Sequence, residues 1–167
     1  MPIMKSMQLI YYKPQYYKEV LALHRSAKEG LPIGINKRDE ESDLKSIEDV
    51  YFLSGGVFLI GLIDEQVIAM GGFERLSYDS AELRRMRIRN DLQDQGYGTQ
   101  LLDVLEELAL KSGITTFSFE TAKSRPLTLE FYRKHGYKQK GSGSYGEVDI
   151  VRFRKALKTE HSISTQA

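Results

Sequence analysis

ELRRMRIRNDLQDQGYGTQLL, residues 82–102, holds three patterns in one run. It opens inside AELRRMRIR (81–89), which reads as a strand, but its apolar positions change parity: Leu83 is odd, whereas Met86 and Ile88 are even. Side chains alternate faces along a strand, so an uninterrupted strand keeps one parity. The shift predicts an extra residue near Arg84-Arg85, a β-bulge that bends the strand and leaves backbone N–H groups unpaired. Such groups can hold a ligand's amides or polarise a carbonyl. The run closes in a helix, Thr99 to Lys111, with Leu101, Leu102, Leu105, Leu108 and Ala109 on one face. Between strand and helix lies the loop Asn90 to Gly98, ending Gln93-Asp94-Gln95-Gly96-Tyr97-Gly98. Glycines there let the backbone approach a ligand closely. The free N–H groups of a helix's first turn add about half a positive charge, so loop and helix together form an anion cradle suited to a pyrophosphate. A dinucleotide fingerprint does not fit, because Leu101 stands where its third small residue belongs, and the chain has no Gly-Lys-Ser/Thr of a Walker loop. Alone, Gly-x-Gly before a helix also reads as a plain turn.

Outward from this run, the chain reads as further short elements. MQLIYY (7–12) is a first strand, and Gln15 to Lys28 a helix with Tyr16, Val20, Leu23 and Ala27 on one face, stopped by Gly30. Leu31 to Asp39 is a loop, and a second helix runs from near Glu40 to Phe52 with Leu44, Ile47 and Tyr51 on one side. VFLIGLI (57–63) is a continuous apolar strand buried on both faces. It pairs across Asp64-Glu65-Gln66 with VIAMGGFERL (67–76) as an antiparallel hairpin. After the helix, ITTFSFET (114–121) is a strand and Pro126 to His135 a short helix. Tyr137–Lys140 and Glu147–Arg154 are final strands separated by Gly141 to Gly146. The order β-α-α-β-β-β-α-β-α-β-β predicts an α/β (α+β) chain with a mostly antiparallel central sheet and helices on both faces. Residues 1–158 are expected to form a single domain, and 159–167 a polar, frayed tail.

Composition narrows the function. Twenty-four basic residues stand against 23 acidic ones, a net charge of +1, which gives no electrostatic case for nucleic acid or a membrane surface. No cysteine is present, which excludes disulfides, thiolate metal sites and cysteine nucleophiles. His24, His135 and His161 show no metal-ligand spacing, so no metal is expected. With no apolar h-region near the start and no membrane-length apolar run, the expectation is a cytoplasmic protein.

At this point the residues resemble the GNAT superfamily of N-acetyltransferases. AELRRMRI (81–88), Gln-x-x-Gly-x-Gly (93–98) and a helix beginning Thr-Gln-Leu-Leu are similar to its acetyl-CoA motif. Phe119-Glu120-Thr121 and Phe131-Tyr132-Arg133-Lys134-His135-Gly136-Tyr137 are similar to its second motif. The resemblance implies the GNAT fold and acetyl-CoA as co-substrate. It implies that backbone groups of Met86 and Ile88 bond the pantetheine arm. It implies that the Gln93–Thr99 loop, with amides from Gln95, Gly96, Tyr97, Gly98 and Thr99, holds the pyrophosphate. It further implies that Tyr132 protonates the departing thiolate, while Glu82 takes a proton from the attacking amine, directly or through water. The chain departs from the family pattern at Gln95, where arginine is frequent, and at Arg125 and Thr128, where asparagine and alanine are frequent. Arg125 is a further candidate for a coenzyme phosphate.

Each residue also has a plainer reading. Tyr132 can be a core tyrosine, Glu82 a strand carboxylate paired with an arginine, and most of Arg84, Arg85, Arg87 and Arg89 a solvated basic face. His135 reads as a cation at a helix C-terminus, and His24, off its helix's apolar stripe, as a surface residue. The chemistry expected is direct transfer of acetyl from acetyl-CoA to a primary amine of a small molecule or peptide. The alternatives are a catalytically weak CoA-binding regulatory module and a phosphate-binding protein that shares only the loop. The acceptor should contact Leu31 to Asp39, the hairpin tip and Gly141 to Gly146, where loops carry specificity on a fixed scaffold. The family resemblance makes a homodimer a common arrangement.

Overall fold

A computed structural model describes residues 5–27 and 41–158. The loop Leu31 to Asp39, Gly30, the start of the second helix at Glu40, and the tail 159–167 with His161 lie outside the described residues.

The apolar runs become the middle of a seven-stranded sheet. In chain order its strands are β1 (Gln8–Tyr11), β2 (Val57–Ile63), β3 (Gln66–Arg75), β4 (Ser80–Ile88), β5 (Thr116–Ala122), β6 (Lys138–Tyr145) and β7 (Val148–Ala156). Their spatial order is β1-β2-β3-β4-β5-β7-β6. Every pairing is antiparallel except that of β4 with β5. Among the described residues three α-helices accompany the sheet: α1 (Tyr17–Ala27), α2 (Tyr97–Lys111) and α3 (Pro126–Lys134). The fold class is that expected from the sequence, and the element order broadly matches, apart from the second helix.

The two faces carry separate cores. Along β2, Leu59 and Ile63 join a cluster with Leu101, Leu102 and Leu105 of α2 and Leu129 and Tyr132 of α3. Phe58, Ile60 and Leu62 join another with Val20 and Leu23 of α1 and Leu44, Ile47 and Tyr51. Neighbouring strand residues point to opposite faces, so α2 and α3 cover one face and α1 the other. Among the described residues no helix is long and apolar enough to cross a membrane.

Three expectations are revised. The second helix is not a regular α-helix: a 3₁₀ turn at Leu44–Ser46 is followed by a π-helical turn at Glu48–Phe52. Wide-turn bonds from Leu53 N–H to Glu48 O (2.8 Å) and Gly56 N–H to Tyr51 O (2.7 Å) close it. The expected face survives the change, since Leu44, Ile47 and Tyr51 are all buried. Gly141 to Gly146 is not a connecting loop, because Gly141 to Tyr145 continue β6 against β7 and only Gly146-Glu147 turn. His24 is not on the surface: it is 1% exposed, its Nε2 3.9 Å from a Glu41 carboxylate oxygen.

Candidate functional site

The site begins at the predicted bulge. Gly72 pairs with Arg84 and Met70 with Arg87, so Arg85 and Met86 together face Gly71 alone. Arg85 takes the left-handed conformation, φ 61°. Gly71 is required beside it, because a Cβ there would lie 2.7 Å from the Met86 sulfur. Beyond the bulge, the Arg89 N–H donates to Ile68 O of β3 at 2.8 Å. Backbone groups alternate sides along a strand, so those of Arg87 also face β3, and those of Met86 and Ile88 face away from it. On that side β5 has already departed. The parallel pairing covers only Ser80, Ala81 and Glu82 against Thr116, Phe117 and Ser118. A cavity of about 300 Å³ occupies the gap, lined by Met86, Ile88, Gln93, Phe119, Glu120, Arg125 and Tyr132 among others, with Ser26 of α1 on its rim. The Met86 carbonyl accepts a hydrogen bond from Arg87 Nη1 at 2.8 Å.

The N-terminus of α2 lies next along the chain. Gly96 caps it at φ 94°, without a side-chain hydrogen bond. Nothing lies within 4 Å of where a Gly96 Cβ would be. First-turn amides of a helix have no partner inside the helix, so those of α2 are left for an external acceptor. Gly98 packs against α3, where a Cβ would touch the Phe131 ring at 3.4 Å. The loop's side chains are occupied in bracing it. Gln93 Nε2 donates to Ile88 O and to Asn90 Oδ1, both at 3.3 Å, and Gln95 Nε2 to Asp91 O at 3.4 Å. The Tyr97 ring is buried and its hydroxyl donates to Lys5 O at 2.7 Å, which leaves its backbone amide for any ligand. Thr99 Oγ1 is 3.0 Å from His135 Nε2, while His135 Nδ1 donates to Phe131 O at 2.7 Å. That histidine sits at the α3 C-terminus, as its position in the sequence suggested.

Tyr132 lines the cavity from α3, inside an aromatic cluster whose nearest ring is Phe119 at 4.2 Å between centroids. Burial pushes its phenol well above the usual range, against the opposing charges of Arg87 and Arg125. Like any phenol it is protonated at neutral pH, and burial keeps it so further into the alkaline range. Arg125 precedes α3 at its N-cap and borders the same cavity.

Glu82 and Glu120 differ in placement. Glu82 sits on the last position of β4 that pairs with β5, outside the residues that line the cavity, with Arg84 Nε 3.5 Å from its carboxylate, and Arg84 also bonds Glu74 at 3.0 Å. Glu120 on β5 lines the cavity itself, held by Tyr145 Oη and Arg152 Nε at 2.7 Å each. Sequence reading did not single Glu120 out as a site residue. Its only signal was its place in Phe-Glu-Thr. The arginines are not a uniform solvated face either: Arg85 is buried and ion-paired with Asp43.

A strand edge with its backbone groups turned toward a cavity, followed along the chain by a glycine-opened helix N-terminus, has the chemistry to receive an extended ligand with an anionic end. The chain belongs to the acetyltransferase (GNAT) family, whose model matches residues 18–137. Among curated proteins no sequence matches the chain. Solved structures share its fold. One is a GNAT-family acetyltransferase from Staphylococcus aureus Mu50, with TM-score 0.80 and 21% identity over 92% of this chain and 100% of that one. Another is the PaiA N-acetyltransferase of Thermoplasma acidophilum in complex with coenzyme A, with TM-score 0.76 and 18% identity over 90% and 99%. A third is a GNAT-family acetyltransferase from Elizabethkingia anophelis with acetyl-CoA bound, with TM-score 0.65 and 16% identity over 90% and 98%.

Proposed function

We propose that the protein is an N-acetyltransferase that moves acetyl from acetyl-CoA to a primary amine by direct attack within a ternary complex. One observation carries the reading: the cavity in the gap between β4 and β5 is lined by Met86, Ile88, Gln93, Arg125 and Tyr132 together, and the N-terminus of α2 follows Gln93 a few residues further along the chain. The residues fit acetyl-CoA in kind. Strand groups with no neighbouring strand, whose carbonyls at Met86 and Ile88 meet only side chains, suit the amides of a pantetheine arm, and a helix N-terminus suits a pyrophosphate. Bound, the thioester supplies an activated acetyl group.

The protein's part is positioning and proton transfer. Met86 and Ile88 align the arm, and the Gln95–Thr99 amides with Arg125 hold the phosphates. Tyr132, a protonated phenol at neutral pH, gives its proton to the departing thiolate. An amine at neutral pH is mostly ammonium and must lose a proton before it attacks. Glu82 is the base the family resemblance implies, whereas Glu120 is the carboxylate lining the cavity. Glu82→Gln and Glu120→Gln separate them: loss of activity at neutral pH that recovers as pH rises marks the residue that accepts the proton.

The first measurement is the melting temperature with acetyl-CoA in large excess, with ATP and NAD as controls. At ~100 times its dissociation constant a ligand adds ~2.7 kcal/mol, which is several degrees for a domain of this size. A shift with acetyl-CoA alone, followed by amine-dependent thiol release, supports the reading. A shift without turnover of any amine would leave a coenzyme-binding module, and no shift would remove the enzyme reading.

A further inference from the structure

The bulge is held from a distance. A left-handed arginine inside a strand occupies a sparsely populated conformation that persists only where its surroundings over-determine it. Here they do. Arg85 is 6% exposed, and its guanidinium grips the Asp43 carboxylate with two bonds, Nε to Oδ2 at 2.9 Å and Nη2 to Oδ1. Asp43 is 5% exposed and also accepts from the Tyr51 hydroxyl at 2.6 Å. The two charges lie 42 residues apart in sequence, one on β4 and one beside the 3₁₀ turn on the α1 face. On the other face Met86 packs where Gly71 has no side chain. A buried ion pair is a poor source of stability, since desolvation offsets its attraction, but its bidentate geometry fixes the position of the backbone that carries it.

We propose that Arg85 is a positioning residue: its pairing with Asp43 and Tyr51 holds β4 in the register that turns the Met86 and Ile88 backbone groups into the cavity, so coenzyme affinity depends on a buried ion pair remote from the reacting atoms. This rests on the acetyl-CoA reading above. Removing the pair lets Arg85 relax toward ordinary strand dihedrals, which would shift the parity beyond it and turn Arg87, not Met86 and Ile88, toward the gap.

The test compares Asp43→Asn/Arg85→Ala with Asp43→Asn/Arg85→Gly, using acetyl-CoA calorimetry, saturating kcat, and amide exchange at Arg87 and Arg89 in the free protein. Glycine adopts φ near 61° without the penalty of a Cβ. The alanine pair should bind acetyl-CoA about tenfold more weakly, the scale of one strained backbone position, with faster exchange at Arg87 and Arg89 and little change in kcat. The glycine pair should recover most of both. Equal weakness in the two pairs, or wild-type affinity and exchange in the alanine pair, overturns the proposal. If the wild-type protein does not bind acetyl-CoA, the functional reading fails instead, and the exchange rates alone decide whether the pair holds the bulge. Should the double variants not fold, Tyr51→Phe must still speed exchange at Arg87, and an unchanged rate counts against the proposal.

Discussion

Tyr132 shows how little of a residue's role is visible from its type. A tyrosine on a helix is most often packing, and this one does pack, against Phe119, Phe131 and Tyr137. It nevertheless lines the cavity, and burial raises its phenol above the ordinary 10.0. Tyr132→Phe keeps the ring and removes only the donor. It should lower kcat by about 10²–10⁴-fold, the usual worth of a positioned acid, while the acetyl-CoA dissociation constant stays within about twofold. A proportional loss of binding would mean the tyrosine only shapes the pocket. Gly96 is limited by conformation alone, with open space around it and φ at 94°. Gly96→Ala should cost about 1–3 kcal/mol of stability by denaturant unfolding and weaken acetyl-CoA binding, because the strain is relieved by moving the amides of the cradle.

At the scale of elements, α2 ties the proposed phosphate cradle to the core. Leu101, Leu102 and Leu105 are fully buried against the sheet, so the position of the helix N-terminus is set by packing and not by the loop before it. Leu105→Ala should cost about 2–5 kcal/mol, the range for deleting a buried leucine side chain, measured as a lowered denaturant midpoint. The β6 strand teaches the opposite lesson. Its Gly-Ser-Gly stretch has no hydrophobic alternation and reads as a loop, yet it pairs residue by residue with β7. The Arg152 side chain lies over Gly141 and Gly143, 3.2 Å from a Cβ at Gly143, and Nη1 bonds Ser142 O. The glycines make room for an arginine that in turn holds Glu120 at the cavity. A requirement of that kind leaves no periodic trace in the chain.

For the whole molecule, stability should be bounded by pH at both ends. Burial alone would raise the Asp43 carboxyl, but the Arg85 and Tyr51 partners hold it below its ordinary value of 3.8. A lowered carboxyl contributes stability that is present above 3.8 and is lost as pH falls through the folded value. Tyr12, Tyr51, Tyr132 and Tyr137 are all raised above the ordinary 10.0, by burial first in each case. A raised phenol contributes stability that is complete below 10.0 and is lost as pH climbs toward the folded value. The melting temperature should therefore be flat through neutral pH and fall steeply above pH 10, with tyrosinate absorbance appearing together with unfolding. Tyrosine ionisation that ran ahead of unfolding would show that these phenols are accessible in the native state.

The bulge, the amphipathic α2 and the glycines before it were legible in the chain because each rests on local rules: side-chain parity along a strand, apolar spacing on a helix, and the backbone freedom of glycine. Those rules act within a dozen residues, and they carried the fold class, the element order and the family motif. Tertiary structure alone decided that Arg85 leaves the solvated arginine face for Asp43, that His24 is buried beside Glu41, and that Glu120 lines the cavity. Each of these depends on which distant segments the sheet order brings together. Charge pairing across 42 residues has no period to read, so only the folded chain reveals it.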